Sequence, residues 1–373
     1  MPKTKVFLLC SGLGHINRGY ESFTQECFDA LSGVPELEIT LFQGGGPADQ
    51  EQITLWNLPR GGRFCEWLGR TLGKSGYWVE QVTFAVSLLP YLAQRRPDVI
   101  YFSDSNIGNL LWHWRRLTRQ KFKLLFSNGG PMQPPYPRWD WVQQLAPTHR
   151  AAALTTGFPA NRQTLLPYGV RMEPELPTVS PEDRAALRRS LGLPGNRPVV
   201  LSVGTVNQGH KRMEYVVREV AALPEPRPFL VLLGQQDEET PAVRAQAEKL
   251  LGADGCLIRT VIHSEVSGYY QAANTFVLAS LDEGFGRVFL EAMSWGLPCL
   301  AHDYPLTHYV LDDSGLLADL TQPGSLTTLL CDILEQGEDL PGRERRHQSA
   351  FKRFSWQQLQ PEYVEMIQEC AKS

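Results

Sequence analysis

The sequence repeats one pattern: a short, mostly apolar run, then small or polar residues, then a stretch with helical spacing. Such runs include Val6–Cys10, Val199–Val203, Phe229–Leu233 and Thr275–Ala279. Strands that are apolar at nearly every position are typical of parallel sheets, because helices cover both faces of those sheets. The alternation of strands with helices therefore predicts an α/β fold with parallel sheets.

Length and composition limit the class of protein. The chain has 373 residues, enough for two domains that each bury a core. Its formal net charge is −4, which argues against a general nucleic-acid role. The seven cysteines are scattered without a Cys-x-x-Cys pair, which favours reduced thiols over disulfides or zinc. Because we find no apolar run long enough for a signal peptide or a membrane span, we expect a cytoplasmic protein.

The segment with the most chemical information is Ser280–Met293, which contains two glutamates eight positions apart. Gly284 and Gly286 allow a tight turn that brings backbone amides close to a ligand, and the start of the following helix favours a phosphate. Either carboxylate, Glu283 or Glu291, can accept hydrogen bonds from two neighbouring hydroxyls, such as those of a ribose. We predict a nucleotide site with one acid on the ribose and the other near the transferred group. The alternative is a strand–loop–helix with two solvated acids.

A second glycine-rich turn, Ser11–Gly19, follows the first predicted strand. Doubly wound folds bind a phosphate or an incoming substrate at this position. The turn lacks the third glycine of a dinucleotide fingerprint, so ligand binding and simple packing both explain Gly12 and Gly14. His15 is a candidate base on the acceptor side, and the alternative is an ordinary polar loop residue.

The motif Glu-Gly-Phe-Gly, four residues, then Glu-Ala-Met, followed by Gly296-Leu297-Pro298, resembles the paired-glutamate signature of family 4 glycosyltransferases. The resemblance covers most of the C-terminal half and, more loosely, the first half. It implies the GT-B fold, with two Rossmann-like domains facing each other across a cleft. It also implies transfer of a sugar from a nucleotide diphosphate sugar, with retention of anomeric configuration. The donor expected first is a UDP- or GDP-sugar, and the acceptor is a glycan, a lipid or a small molecule.

The resemblance also implies a domain plan. Residues 1–170 would form an acceptor-binding domain, residues 171–350 a donor-binding domain, and residues 351–373 a helix that returns to the first domain. A proline-rich, polar stretch up to Pro181 supports a boundary near residue 170.

Two positions depart from the family pattern. The family usually places an arginine directly after the glycine that ends a strand, but here Thr205 follows Gly204. Lys211 occupies the position of the family's diphosphate-binding lysine, and Arg212 is a candidate to replace the missing charge. A histidine that the family commonly carries near the transferred sugar is replaced by Asn128, which cannot become cationic.

Together these arguments give a set of site residues. The predicted catalytic residues are Glu283, Lys211, Asn128 and His15. The predicted donor-binding residues are Gly12, Gly14, Gly204, Thr205, Lys211, Arg212, Ile262, Gly284, Phe285, Gly286, Arg287 and Glu291. Because no Asp-x-Asp signature stands out, we expect no essential metal and no cofactor besides the nucleotide-sugar substrate.

Three rival functions stay open on the sequence. The first is a nucleotide-sugar epimerase of the same fold, which uses the donor site without an acceptor. The second is an inverting transferase with His15 as its base. The third is a nucleotide-sugar-binding protein without catalysis, which Thr205 and Asn128 motivate.

The region from Arg60 to Glu80 has a distinct composition. Its helically spaced apolar residues stand near four cations, namely Arg60, Arg63, Arg70 and Lys74. Such a helix either packs its apolar stripe on its own sheet or lies on an anionic membrane surface. Packing on the sheet is the interpretation that we favour, and peripheral membrane contact is the alternative.

Overall fold

The chain forms two α/β units, and each contains one parallel sheet. A computed structural model describes residues 3–16, 18–130, 132–337 and 339–373. Unit 1 contains Met1–Gly169 and Trp356–Ser373, and unit 2 contains Val170–Ser355. Asn17 in the first glycine-rich turn lies outside the described residues.

Unit 1 is built on seven parallel strands in the order β3-β2-β1-β4-β5-β6-β7. These strands are β1 (Thr4–Cys10), β2 (Leu37–Gln43), β3 (Gln52–Thr54), β4 (Val99–Phe102), β5 (Lys123–Ser127), β6 (Trp141–Gln144) and β7 (Gln163–Leu165). Its helices are α1 (Gly19–Leu31), α2 (Arg63–Thr71), α3 (Gly76–Arg95), α4 (Ser105–Thr118), α5 (Pro147–Thr155) and the C-terminal helix Trp356–Lys372. The apolar runs in β1 and β4 are fully buried, as expected for central strands of a covered sheet.

Unit 2 is built on six parallel strands in the order β10-β9-β8-β11-β12-β13. These strands are β8 (Val199–Val203), β9 (Phe229–Leu233), β10 (Cys256–Arg259), β11 (Thr275–Leu278), β12 (Cys299–His302) and β13 (Gly315–Ala318). Its helices are α6 (Pro181–Leu191), α7 (Met213–Ala221), α8 (Thr240–Leu251), α9 (His263–Ala272), α10 (Arg287–Ser294), α11 (Pro305–Leu311), α12 (Ser325–Glu335) and α13 (Leu340–Phe354), so the C-terminal helix of unit 1 is α14. Short 3-10 turns occupy Ala160–Arg162 and Asp312–Ser314.

Both sheets reverse their direction of strand addition at one point, between β1 and β4 in unit 1 and between β8 and β11 in unit 2. Doubly wound sheets bind ligands in the crevice beyond the carboxyl ends of strands at such a point. The loops that leave β8 and β11 contain most of the predicted donor residues of unit 2. This topology confirms the predicted α/β class with two Rossmann-like units.

The chain passes from unit 1 to unit 2 between Gly169 and Val170, and it returns to unit 1 between Ser355 and Trp356. The second changeover falls after α13 rather than at residue 350, because α13 packs within unit 2, where the Arg346 guanidinium donates to the carbonyl of Gly296. The chain then re-enters unit 1 through α14. There the Tyr363 hydroxyl donates to the carbonyl of Pro167, and Trp356 stacks near Phe23.

The predicted packing of the basic amphipathic stretch is wrong in two respects. The stretch is divided into α2 and the start of α3, and α2 buries only Cys65 and Gly69. Phe64 and Trp67 are 59% and 57% exposed, so they do not pack on the sheet. Arg60, which we grouped with the surface cations, is instead bound to the buried carboxylate of Glu80.

Candidate functional site

Lys211 and Glu283 form an ion pair at the reversal point of the sheet in unit 2. Lys211 lies in the loop after β8 and Glu283 in the loop after β11, and the lysine Nζ is 2.5 Å from Oε1 of the glutamate. The two side chains are 16% and 9% exposed. A lysine at this edge can meet an anionic ligand that reaches the same crevice.

Two glycines make room for the lysine. A Cβ atom at Gly204 would lie 3.0 Å from the Cδ and Cε atoms of Lys211. A Cβ atom at Gly234, at the end of β9, would overlap the carbonyl oxygen of Gly204. The residues directly after β8 and β9 are therefore glycines, because the two strand exits touch each other and the lysine side chain passes over the first glycine.

The loop after β8 is held by side chains that use its backbone amides. The carboxylate of Glu239 accepts the amides of Gln208 and Gly209 at 2.7 Å and 2.9 Å. Asn207 accepts the amide of Lys211 at 2.9 Å. These three amides already have acceptors, whereas the ammonium group of Lys211 carries a positive charge that the loop can offer to a ligand.

Arg212 follows Lys211 but turns into unit 2. Its Nη1 donates to the carbonyls of Ala279 and Leu320, and its guanidinium lies 4.4 Å from the ring centre of Tyr215. Burial lowers the pKa of the guanidinium. This packing makes Arg212 a brace between the loop and the end of β11. Thr205, where the charge is missing, is half-buried beside Gly204, and compensation by Arg212 stays a prediction.

Glu291 is fixed in the second turn of α10. Its Oε2 accepts the Tyr270 hydroxyl at 3.1 Å, and its Oε1 lies 3.5 Å from Nε of Arg287. Burial raises the pKa of Tyr270 well above its ordinary value, so the phenol stays a donor. The sequence did not point to Tyr270, because it lies on α9 and meets Glu291 only in the folded unit.

The glycine turn between the two glutamates begins α10. Gly286 has φ +73°, a left-handed conformation that glycine adopts without strain, and it directly precedes the helix. Phe285 is buried and packs edge-on against Phe354 of α13, so its side chain faces the core of unit 2. Gly284 is half-buried, and Ile262, ahead of α9, is 59% exposed.

The predicted residues of the first glycine-rich turn are tightly packed in unit 1. A Cβ atom at Gly14 would overlap the backbone of Gly45, and one at Gly12 would lie 2.9 Å from Nη2 of Arg60. The ring of His15 covers Gly45. Packing within unit 1 therefore accounts for both glycines of the turn without a ligand.

Asn128 is hydrogen-bonded inside unit 1. Its Nδ2 donates to the Tyr136 hydroxyl and to Oε1 of Gln144, and its Oδ1 accepts the amide of Met132 at 2.7 Å. The residue is 1% exposed. These contacts give Asn128 a structural role in the loop after β5, and its catalytic role stays a prediction.

A buried ionic cluster near the same turn was absent from the sequence prediction. Arg60 pairs with Glu80 at 2.6 Å and lies 3.9 Å from Glu21, while Tyr77 donates to Asp104 at 2.5 Å. Burial raises the pKa of Asp104 and that of Glu21. Tyr77 and Glu80 share α3, but Glu21, Arg60 and Asp104 are distant from them and from one another in the sequence, so no local pattern indicates the cluster.

The structure brings two pairs of predicted residues into contact, Lys211 with Glu283 and Arg287 with Glu291. Other predicted residues of unit 2 lie in the same loops after β8 and β11, namely Gly204, Thr205, Gly284 and Gly286. In unit 1, Gly12, Gly14 and His15 lie after β1, and Asn128 lies after β5. Within the described ranges we find no group of three or more His, Cys, Asp or Glu side chains placed to hold a metal ion.

The comparisons with known proteins agree with this architecture. The family model described as "Glycosyl transferases group 1" matches residues 183–353, which lie in unit 2. A D-inositol 3-phosphate glycosyltransferase of Xylanimonas cellulosilytica is 31% identical over 230 residues, covering 58% of this chain and 53% of that protein. The O-antigen chain mannosyltransferase B of Escherichia coli is 38% identical over 91 residues, 24% of this chain and 23% of that protein. The chain spans about half the length of the first of these relatives.

Solved structures are similar over the whole chain. A sucrose-phosphate synthase from Thermosynechococcus elongatus has a TM-score of 0.77 at 20% identity and full coverage of both chains. The Anabaena protein HepE in complex with UDP and glucose has a TM-score of 0.75 at 16% identity, covering 98% of this chain and 99% of that one. The chain therefore has the GT-B fold, and its second unit is similar to the glycosyl transferases of group 1.

Proposed function

We propose that this chain is a glycosyltransferase that takes a sugar from a nucleotide diphosphate sugar, with the donor bound by unit 2. The observation that carries the proposal is the Lys211–Glu283 pair at the reversal point of the sheet, with Glu291 fixed nearby on α10. The similarity of residues 183–353 to glycosyl transferases supports it.

The donor diphosphate is assigned to Lys211 and to the N-terminal end of α10. A helix N-terminus favours phosphate through unpaired N–H groups and partial positive charge. When the diphosphate approaches, Lys211 exchanges a single carboxylate for a more highly charged anion. That exchange releases Glu283 to contact the hydroxyls of the sugar.

Glu291 is assigned to the ribose hydroxyls. The Tyr270 hydroxyl and the Arg287 guanidinium each contact one of its two carboxylate oxygens. A carboxylate oxygen has two acceptor sites, so each oxygen can still accept a ribose hydroxyl. An acid held in this way pays little entropy on binding, because its rotamer is already set by its neighbours.

The chemical step requires stabilisation of negative charge on the departing diphosphate. As the bond between the anomeric carbon and the diphosphate oxygen breaks, the sugar becomes oxocarbenium-like and the charge on the phosphate rises. Lys211 stabilises that charge where it develops. The acceptor hydroxyl then bonds to the anomeric carbon and gives its proton to the leaving phosphate, with retention of configuration. The residues so assigned require no metal ion.

The donor proposed first is a UDP-sugar, with a GDP-sugar next. Similar solved structures contain UDP with glucose, UDP-glucose or UDP-2-fluoro glucose. The acceptor is a hydroxyl of a glycan, a lipid or a small molecule, bound by unit 1.

A thermal-shift panel of UDP, GDP, ADP and their sugars tests the donor site. A ligand at a hundred times its dissociation constant adds about 2.7 kcal/mol to the stability of the folded state. The nucleotide sugar that stabilises the protein is then incubated with it, with and without acceptors. The anomer of the product is assigned by NMR. Acceptor-dependent release of nucleotide with retention is expected. Isomerised sugar from donor alone would identify an epimerase, and no stabilisation by any nucleotide would refute the donor site.

A further inference from the structure

The outer face of α2 carries large apolar side chains without an internal partner surface. Helix residues advance by about 100° each, so Trp67 lies opposite the buried pair of Cys65 and Gly69. Phe64 and Trp67 are more than half exposed, and Leu72 after the helix is 54% exposed. The helix therefore packs by its two small residues and presents its bulky ones outward.

The two aromatic rings of this face pack on each other. The ring centres of Phe64 and Trp67 are 5.6 Å apart, and their planes are inclined by 27°. Stacking joins them into one apolar surface at the i and i+3 positions of the helix. Two stacked exposed aromatic rings differ from the scattered single apolar residues of an ordinary surface, so this surface is a candidate contact site.

Cations border the apolar surface. Arg63, Arg70 and Lys74 are exposed. Glu66, the single acid of α2, turns away: its Oε1 accepts the amide of Gly61 and lies against Gly76. From Ile53 to Val79 the sequence contains no other acid. The face is therefore positively charged as well as apolar.

We propose that Arg63, Phe64, Trp67, Arg70, Leu72 and Lys74 form a basic aromatic face that docks on the headgroup region of an anionic lipid bilayer. Aromatic rings prefer the boundary between headgroups and acyl chains, and lysine and arginine bind anionic headgroups. A short helix that lies along the surface of its unit can insert its outer face without unfolding. In the part of the chain that the structure describes, no helix is long and apolar enough to span a membrane, and this face does not require one.

A matched control surface exists on α4. Leu117 is 79% exposed and stands among exposed or half-exposed cations, including Arg116 and Arg119. It lacks an exposed aromatic pair, because Arg116 covers the ring of Trp112 at 4.6 Å. If any exposed apolar residue among cations caused nonspecific binding to vesicles, substitutions on α2 and α4 would reduce the binding equally.

The test is co-sedimentation of the full chain with two kinds of vesicle. One is phosphatidylcholine alone, and the other is equal parts of phosphatidylcholine and phosphatidylglycerol. We expect binding to the anionic vesicles that weakens with salt. The double variant Phe64→Ser/Trp67→Ser should weaken it by on the order of tenfold or more. The triple variant Arg63→Gln/Arg70→Gln/Lys74→Gln should weaken it by on the order of a hundredfold.

The control variant Leu117→Ser/Arg119→Gln should bind as the parent chain does, and all variants should keep the parent's thermal midpoint. Absence of binding to the anionic vesicles would overturn the proposal, as would equal losses in the α2 and α4 variants. Sedimentation velocity adds a further outcome. A self-association that the Phe64 and Trp67 substitutions abolish, without vesicle binding, would show that the face docks on a second copy of the chain instead.

Discussion

The Nζ of Lys211 and Oε1 of Glu283 are 2.5 Å apart, so the two charged residues at the exits of neighbouring central strands neutralise each other. The pair explains why a lysine can stand with only 16% of its side chain exposed. It also means that an anionic donor must compete with Glu283 for the ammonium group. Proposed donor binding therefore couples the two residues, and substitutions of them should behave differently.

Lys211→Met should lower kcat/KM for the donor by on the order of 10² to 10³, because it removes the positive charge proposed to face the leaving diphosphate. Steady-state assays of nucleotide release measure the loss. Arg218→Met is the control, since Arg218 is an exposed cation paired with Glu214 on α7. Equal activities of the Lys211 variant and the parent would remove the lysine from the mechanism.

Substitutions of the two glutamates should separate binding from chemistry. Glu291→Ala should raise the donor KM more than it lowers kcat, because the ribose is bound equally in the ground state and the transition state. Glu283→Ala should mainly lower kcat, because its proposed contacts are to the sugar as it becomes cationic. The same steady-state series measures both, and the reverse pattern would mean that the two roles are exchanged.

Tyr270→Phe should weaken donor binding through Glu291. The variant removes one hydrogen bond to a carboxylate, worth about 1.5–3 kcal/mol, and leaves the ring in place. Calorimetric titration with the nucleotide diphosphate should show a weaker affinity. Steady-state assays should show that kcat is nearly unchanged. Tyr269→Phe is the neighbouring control, because its hydroxyl accepts from Arg259 instead. Equal effects of both substitutions would indicate a general loss of packing.

The sequence was sufficient for the α/β architecture with two units, whereas the site in unit 2 stays a prediction. Apolar runs located β8 and β9 because every strand of a covered parallel sheet is buried on both faces. The polar strand β6, with Gln143 and Gln144, gave no such signal. Gln143 is buried through hydrogen bonds to Tyr101, Tyr363 and the carbonyl of Leu166, which periodicity does not report.

Individual side chains were harder to place, because their partners are distant in the sequence. Asn128 donates hydrogen bonds to Tyr136 and Gln144. Arg212 donates hydrogen bonds to the carbonyls of Ala279 and Leu320. Composition indicates a polar or charged group in each case, but not its direction. Likewise, helical spacing in α2 identified an apolar stripe without showing whether another surface covers it.

Gly234→Ala should destabilise unit 2, because the added methyl group would overlap the carbonyl of Gly204 and push apart the exits of β8 and β9. Overpacking of this kind costs about 1–3 kcal/mol. Urea unfolding followed by circular dichroism measures the change. Gly195→Ala is the control, since its Cβ would meet no atom within 4 Å. An unfolding midpoint equal to that of the parent would show that the strand exits can separate freely.

Glu21→Gln should change how stability depends on pH. Burial raises the pKa of Glu21 in the folded chain, above a smaller opposing effect of Arg60. The folded chain therefore binds this proton more tightly than the unfolded chain, and the free energy of unfolding falls as pH rises from the unfolded pKa, about 4.3, through the folded pKa. The glutamine variant does not titrate, so its stability relative to the parent should rise as pH increases from the unfolded pKa through the folded pKa. Urea unfolding at a series of pH values measures the difference. Asp49→Asn should lose stability relative to the parent as pH rises through the acid range, because backbone amides of Gln52 and Glu51 lower the pKa of Asp49. Parallel curves for the Glu21 variant and the parent would show that this carboxyl titrates alike in both states.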